Sequence, residues 1–546
     1  MMQTCALTGK PFEITAEDLA FYQKIGVPPP TLCPEERIRR RMAFRNELHL
    51  YHRKCDFTGK QIISIYSPDK PFPVYNQHSW WSENWDARDY GRDFDFSRPF
   101  FEQFSELQKV VPRCSVIIQN CENSDYTNYS ASNKDCYLCT SSHNCESTYY
   151  SYRCHALKDS SDCMNVNNGT LCYESIDSEN CYELGYSQMC YHCSESLFLF
   201  DCRNCNHCLF SVGLRNKKYY ILNKKHSPEE YAQKKKELLD NFAHFLPHLK
   251  KHYHAILLQF SRRALSNIQS ENSSGDFLFQ CNGVQESFFL QQGENSKYVT
   301  EGRGVKDSYD LLNPDNTELC YENSSSIQNY EVLFSYHIGW SSFLEYCDFC
   351  MNSQSCFGCI SLNKQKYCIL NKQYSKEDYF ALRAKIIEHM KKAGEWGEFF
   401  PISLSPFGYN ETVAQDYFPM TKEEIMKRGW KGKDEEESAK YEGPKVQIPS
   451  TIGETQDSIC DQILECEQCA KNYRIAKPEL KFYRKMNLPV PHSCPKCRHL
   501  ARMKLRNPRK LYHRNCGNCG TGIETTYAPE RPEKVLCEKC YEQALV

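Results

Sequence analysis

The chain has 546 residues, 67 Lys+Arg against 69 Asp+Glu and 33 cysteines, and its net charge of -2 argues against a protein that coats nucleic acid or anionic membrane over its whole surface. No apolar run reaches the roughly 20 residues that span a bilayer, the opening MMQTCALTGK lacks the apolar stretch of a secretory signal, and 13% aromatic residues speak against bulk disorder. The expectation is a cytoplasmic chain of several domains with no membrane partner, in which reduced cysteines serve as metal ligands or small buried side chains. The cysteines are clustered: 3 lie in 1–60, 14 in 114–208, 7 in 281–368 and 9 in 460–540.

Residues 1–80 form a first module that is a copy of the other end of the chain. A shift of 461 lays Cys5–Ser79 on Cys466–Cys540 without a gap and with 27 identities in 75 positions, which establishes an internal duplication. Where the C-terminal copy has Cys469, Cys497 and Cys519, this copy has Thr8, Glu36 and Thr58, and Asn76 and Ser79 replace Cys537 and Cys540. With only Cys5, Cys33 and Cys55 left, the module is expected to fold without metal. Arg37, Arg41 and Arg45 match Arg498, Arg502 and Arg506, a spacing that places three guanidinium groups on one helical face in each copy. These stripes either grip phosphates of RNA or DNA, with steep salt dependence, or pair with the acidic middle of the same chain.

Residues 81–226 are expected to be a first β-solenoid-like unit. Trp80, Trp81, Trp85 and the aromatic and acidic stretch 89–104 read as a cover for its open end, or alternatively as a stacking platform for bases or sugars. From Asp135 the chain falls into nine-residue steps, with Cys136, Cys145, Cys154, Cys163, Cys172, Cys181 and Cys190 at the second position. Ser142, Ser151, Ser160, Ser178, Ser187 and Ser196 recur at the eighth. Short turn-rich units of this kind favour strands over helix. With two units per coil, residues 135–215 give four and a half coils and a stack of roughly 20 Å. The cysteines then read as a column filling a narrow interior, with a chain of metal or iron–sulfur sites as the alternative.

A helical connector is expected over 227–265 and a second solenoid-like unit over 266–374, because a shift of 148 lays Leu171–Tyr231 on Leu319–Tyr379 with 22 identities in 61 positions. Asn329 and Ile338 stand where Cys181 and Cys190 stand, which a packed column tolerates and shared metal ligands do not. Ser227 and Ser375, each followed by acidic residues, mark helix starts, and the helices are expected to cap open coil edges, the first interrupted near Pro247. Residues 375–460 comprise the second helix and a charged linker.

The last module, 461–546, carries four CxxC pairs: Cys466/Cys469, Cys494/Cys497, Cys516/Cys519 and Cys537/Cys540. Two such knuckles complete a tetrahedral S4 site, so eight thiolates imply about two structural Zn2+ ions per chain. Spacing alone leaves sequential and cross-braced pairing open. Residues Cys466–Arg498, with a CxxC, a Phe-Tyr, a Pro and a CPxCR, resemble a zinc-ribbon family of bacteria. That resemblance implies sequential pairing for the first site and brings no established activity with it. Over its full length the chain resembles bacterial multidomain proteins that combine this ribbon with Cys/Tyr-rich repeats.

The fold class expected is therefore mixed α+β: two β-solenoid-like units with capping helices, flanked by a degenerate N-terminal and an intact C-terminal zinc-ribbon module. No nucleophile elbow, P-loop, HExxH or dinucleotide fingerprint occurs in the sequence. The expected function is a non-enzymatic, zinc-stabilised scaffold for a macromolecular partner, with nucleic acid bound by the arginine stripes or a protein bound along a solenoid face. Partner identity, oligomeric state and the role of Cys460 stay open.

Overall fold

The computed structural model describes all residues except Asn241, 435–442, 444–445 and Val546, so ten residues of the charged linker lie outside the described residues. The chain divides into two compact units. Unit 1 joins Met1–Val116 to Leu265–Lys433 and Arg509–Leu511; unit 2 joins Ile117–Ala264 to Asp434–Pro508 and Tyr512–Val546. Each unit thus combines one solenoid with one terminal module, and the combination is crossed. The N-terminal module belongs with the second solenoid and the C-terminal module with the first.

Both solenoids are parallel β-coils with a register of 12 residues. Tyr182 pairs with Ser194, Ser194 with Asn206 and Asn206 with Lys218; Lys297 pairs with Tyr309 and Tyr309 with Tyr321. The coil is therefore shorter than the 18 residues expected from two nine-residue units. Its construction is visible in the backbone, where Leu138, Ser141, Asn144 and Ser147 have φ of 50, 52, 57 and 46°. A left-handed residue at every third position bends the chain into four three-residue sides, and the residue after each bend points inward. Cys139, Ser142, Cys145 and Thr148 are such residues, and each is 0–1% exposed. Residues 117–223, 107 in number, make about nine coils, a stack of roughly 43 Å at about 4.8 Å per coil.

Nine residues are three sides of this four-sided coil. Each cysteine therefore sits one coil on and one wall over from the next, and the set winds around the interior instead of forming one straight column. The thiols of Cys181 and Cys193 lie 3.5 and 3.4 Å from the carbonyls of Cys190 and Cys202, nine residues on. The serines have a separate task. Ser142, Ser151 and Ser160 accept the N–H groups of Cys154, Cys163 and Cys172, one coil on, at 3.2, 3.2 and 3.0 Å. These inward-facing amides would otherwise be buried without a partner. In the second solenoid the side-chain oxygens of Asn323 and Asn329 do the same for Ser335 and Ser341, which explains asparagine at the place of Cys181.

Each coil run ends in a tight hairpin. Leu222 and Asn223 (φ 52 and 59°) turn Lys218–Ile221 back onto Lys224–Lys225, and Leu370 and Asn371 (φ 45 and 65°) do so for Lys366–Ile369 and Lys372–Gln373. Helices follow, with Ser227 and Ser375 accepting the N–H groups of Glu230 and Asp378 at 3.1 Å. The helix Lys376–Ala393 runs back along a wall, burying Tyr379, Ile386 and Met390, while Arg383 holds Glu345 through two bonds of 2.6 Å. The connector is helical over Pro228–Asp240 and Phe242–Leu257, and the second stretch runs through Pro247 without the interruption expected there.

The aromatic segment near residue 80 belongs to unit 1 and not to the first solenoid. Trp80 is 3% exposed and meets Phe349 edge-on at 4.7 Å, and Phe100, on the helix Phe100–Gln108, packs on Tyr346 and Phe357. No helix among the described residues is long and apolar enough to cross a membrane.

Candidate metal centres

The two terminal modules use the same local elements. In the C-terminal one, Cys466 and Cys469 lie in the turn of a hairpin between Leu464–Glu465 and Asn472–Tyr473, and Cys494 caps the helix Pro495–Lys504. The pattern repeats with Cys516 and Cys519 between Tyr512–Asn515 and Gly522–Thr525, and with Cys537 capping Glu538–Ala544. A hairpin knuckle and a helix start thus face each other twice.

The sulfurs of Cys466, Cys469, Cys494 and Cys497 all lie within 4.8 Å of one another, as do those of Cys516, Cys519, Cys537 and Cys540. The first knuckle meets the second and the third meets the fourth, which is the sequential arrangement. A tetrahedron with a metal–sulfur distance of about 2.3 Å has an edge of about 3.8 Å. The Cys469–Cys494 and Cys519–Cys537 separations are both 3.8 Å, so the tetrads fit a four-coordinate ion. Backbone amides supply the outer layer: Cys494 N–H donates to Cys466 Sγ at 3.2 Å and Cys537 N–H to Cys516 Sγ at 3.3 Å. Burial opposes the thiolate of Cys466, but the amides of Cys494, Gln468 and Cys469 outweigh it and bring the thiol down to about 7. Cys516 is lowered to about 6, chiefly by the amide of Cys519.

In the N-terminal module the knuckles keep their amide cradles and fill the missing ligand positions with hydrogen bonds. Asn76 donates to Cys55 Sγ from its backbone at 3.2 Å and from its side chain at 3.4 Å, and its amide also reaches the Thr58 hydroxyl. Burial raises the Cys5 thiol, but the amides of Cys33, Leu7 and Thr8 and the Thr8 hydroxyl bring it to about 7. Glu36, at the position of Cys497, turns to Arg39 at 2.9 Å.

The arginine stripes are turned towards acidic residues of the same unit. Arg37, Arg41, Arg45, Arg498 and Arg502 are 0–5% exposed. In unit 1, Arg37 meets Asp310 at 3.0 Å, Arg41 meets Asp310 and Glu322 at 3.1 Å, and Arg45 is bound by Glu47 and Ser325. In unit 2, Arg498 meets Asp162 at 3.1 Å, Arg502 meets Asp162 at 2.7 Å and Glu174 at 3.4 Å, and Arg506 meets Asp177 at 3.2 Å. While Asp177 corresponds to Ser325, two of the carboxylate partners are equivalent, since Asp162 and Glu174 shifted by 148 are Asp310 and Glu322. The same holds for Lys485–Asp159 at 2.9 Å and Lys24–Asp307 at 3.4 Å. Burial disfavours the charged form of Arg37 and Arg498, yet the carboxylates of Asp310 and Asp162 raise both above the ordinary guanidinium value. For Glu322 burial wins and its carboxyl is raised despite Arg40 and Arg41.

Among the described residues the solenoid cysteines form no comparable group of close metal-type ligands. Burial pushes Cys181 and Cys320 up to about 12, the state of a packed neutral thiol. Cys460 is half-buried beside the core of unit 2, with a thiol raised by burial and then by Asp457 and Asp461. The acidic docking residues Asp162, Asp310 and Glu322 escaped the sequence reading, although the surplus of basic residues at the ends and of acidic ones between was the signal for them. No protein-family model and no curated protein matches the chain.

Proposed function

We propose that the protein is a non-catalytic scaffold, stabilised by two zinc ions in ribbon-like C-terminal sites, that presents a solenoid wall to a protein partner in a reducing compartment such as the cytoplasm. The observation that supports the partner surface is an apolar patch on one wall of the second solenoid. Ile327, Tyr330, Trp340 and Phe343 come together there through adjacent coils, each 40–42% exposed. Two lines of chemistry agree with this reading. Each tetrad is completed by four protein thiolates and leaves no position for a substrate, the arrangement of a structural zinc site. The docking arginines are spent on carboxylates of the same unit, which turns the reading from nucleic acid towards protein.

The test is co-purification from native lysate with the intact protein and with a Trp340→Ala/Phe343→Ala variant, alongside elemental analysis. Two zinc ions per chain and a partner lost from the variant are expected. A partner retained at full yield by the variant removes the surface from the proposal, and iron or no metal removes the zinc.

A further inference from the structure

Unit 2 contains a cleft of about 610 Å3 between the first solenoid and the helix Lys477–Met486, within the size range of small-molecule sites. The contacts beside it are those of the docking interface, shared by both units. The cleft itself is not shared. In unit 1 the ring of Phe21 stacks on Tyr309 at 4.0 Å, whereas Phe482, the counterpart of Phe21, has Ser161 at the place of Tyr309. Tyr137 and Tyr149, which line the cleft, correspond to Gln285 and Lys297. Lys297 spans the equivalent space to both oxygens of Asp18 at 3.0 Å. One copy fills this place with a ring and an ion pair; the other leaves it open.

The lining defines what fits. Tyr126, Tyr137, Tyr149 and Phe482 supply aromatic surface, and Asp125 and Asp135 supply carboxylates. Asp159 is neutralised by Lys485, and Asp135 accepts a bond from Asn123 at 2.7 Å that leaves its charge in place. Asp125 makes no hydrogen bond or ion pair among the described residues, and although the exposed Lys481 also lines the cleft, three carboxylates against two ammonium groups leave it net negative. Aromatic faces with uncompensated carboxylates attract a cation that carries both charge and alkyl surface.

We propose that this cleft is a binding site for a small alkylammonium ligand. The experiment is isothermal titration of the full-length protein, as purified, with 1,5-diaminopentane and with neutral 1,5-pentanediol. Saturable binding of the diamine alone is expected, weakened at least tenfold in Asp125→Asn/Asp135→Asn and in Tyr137→Gln. Asp125 is exposed and glutamine already stands at the equivalent position of unit 1, so both variants are expected to fold, as circular dichroism will verify. No saturable heat with the diamine, equal binding of the diol, or undiminished binding by the folded variants overturns the proposal.

Discussion

In the N-terminal module Asn76 holds Cys55 with two hydrogen bonds and also donates to Thr58, where in the C-terminal module Cys516 is one of four sulfurs gathered into a tetrad. The two modules nevertheless dock on their solenoids through matching arginines and matching carboxylates. The differences remove every metal tetrad from one copy but keep the central arginine–carboxylate pairs of the docking, and the physical reason is that the two tasks fail differently. A knuckle that loses one ligand can be rebuilt from short hydrogen bonds. A buried arginine that loses its carboxylate leaves an uncompensated charge.

The comparison is broken most severely by removing metal. Binding free energy at a structural zinc site is folding free energy, on the order of 10 kcal/mol. A strong chelator, or Cys494→Ser, is therefore expected to make 461–546 sensitive to limited proteolysis while 1–116 stays protected; equal sensitivity of the two ends would contradict the division. Next in size are Asp310→Asn and Asp162→Asn, each removing a buried carboxylate shared by two buried arginines, at a cost of about 3–5 kcal/mol. Urea denaturation should show the loss in unit 1 for the first and in unit 2 for the second. Ser160→Ala removes the acceptor for the buried N–H of Cys172 and is expected to cost about 1–3 kcal/mol, read as a lower unfolding midpoint. The smallest effect sharpens the comparison. Thr15 caps its helix by accepting Asp18 N–H at 3.2 Å, while the equivalent Ala476 has no side chain to do so. Thr15→Ala should cost about 1 kcal/mol and Ala476→Thr should recover a similar amount, again by denaturant midpoint.

Much of this was legible in the sequence because it is local. The CxxC pairs, the serine helix caps and the two duplications are patterns in short windows or fixed offsets, and they predict two four-thiolate sites, though not which knuckles pair, and the repeated modules. The nine-residue period was also real, but a period along the chain is not a period in space. Only the left-handed residue at every third position sets the coil at four sides, and Leu138 or Tyr150 carries no compositional mark of that role. The arginine stripes show the same limit. A helical face of Arg498, Arg502 and Arg506 reads alike whether phosphate or Asp162 lies opposite.

What the sequence determined by itself is the chemistry available: eight thiolates at knuckle spacing, small side chains for a narrow interior, and complementary charge at the ends and in the middle. What only the tertiary structure decided is where that chemistry is used. Long-range docking assigns each terminal module to the solenoid farther from it along the chain. Burial then turns basic stripes into interior ion pairs, because a guanidinium withdrawn from water must find its carboxylate within the protein.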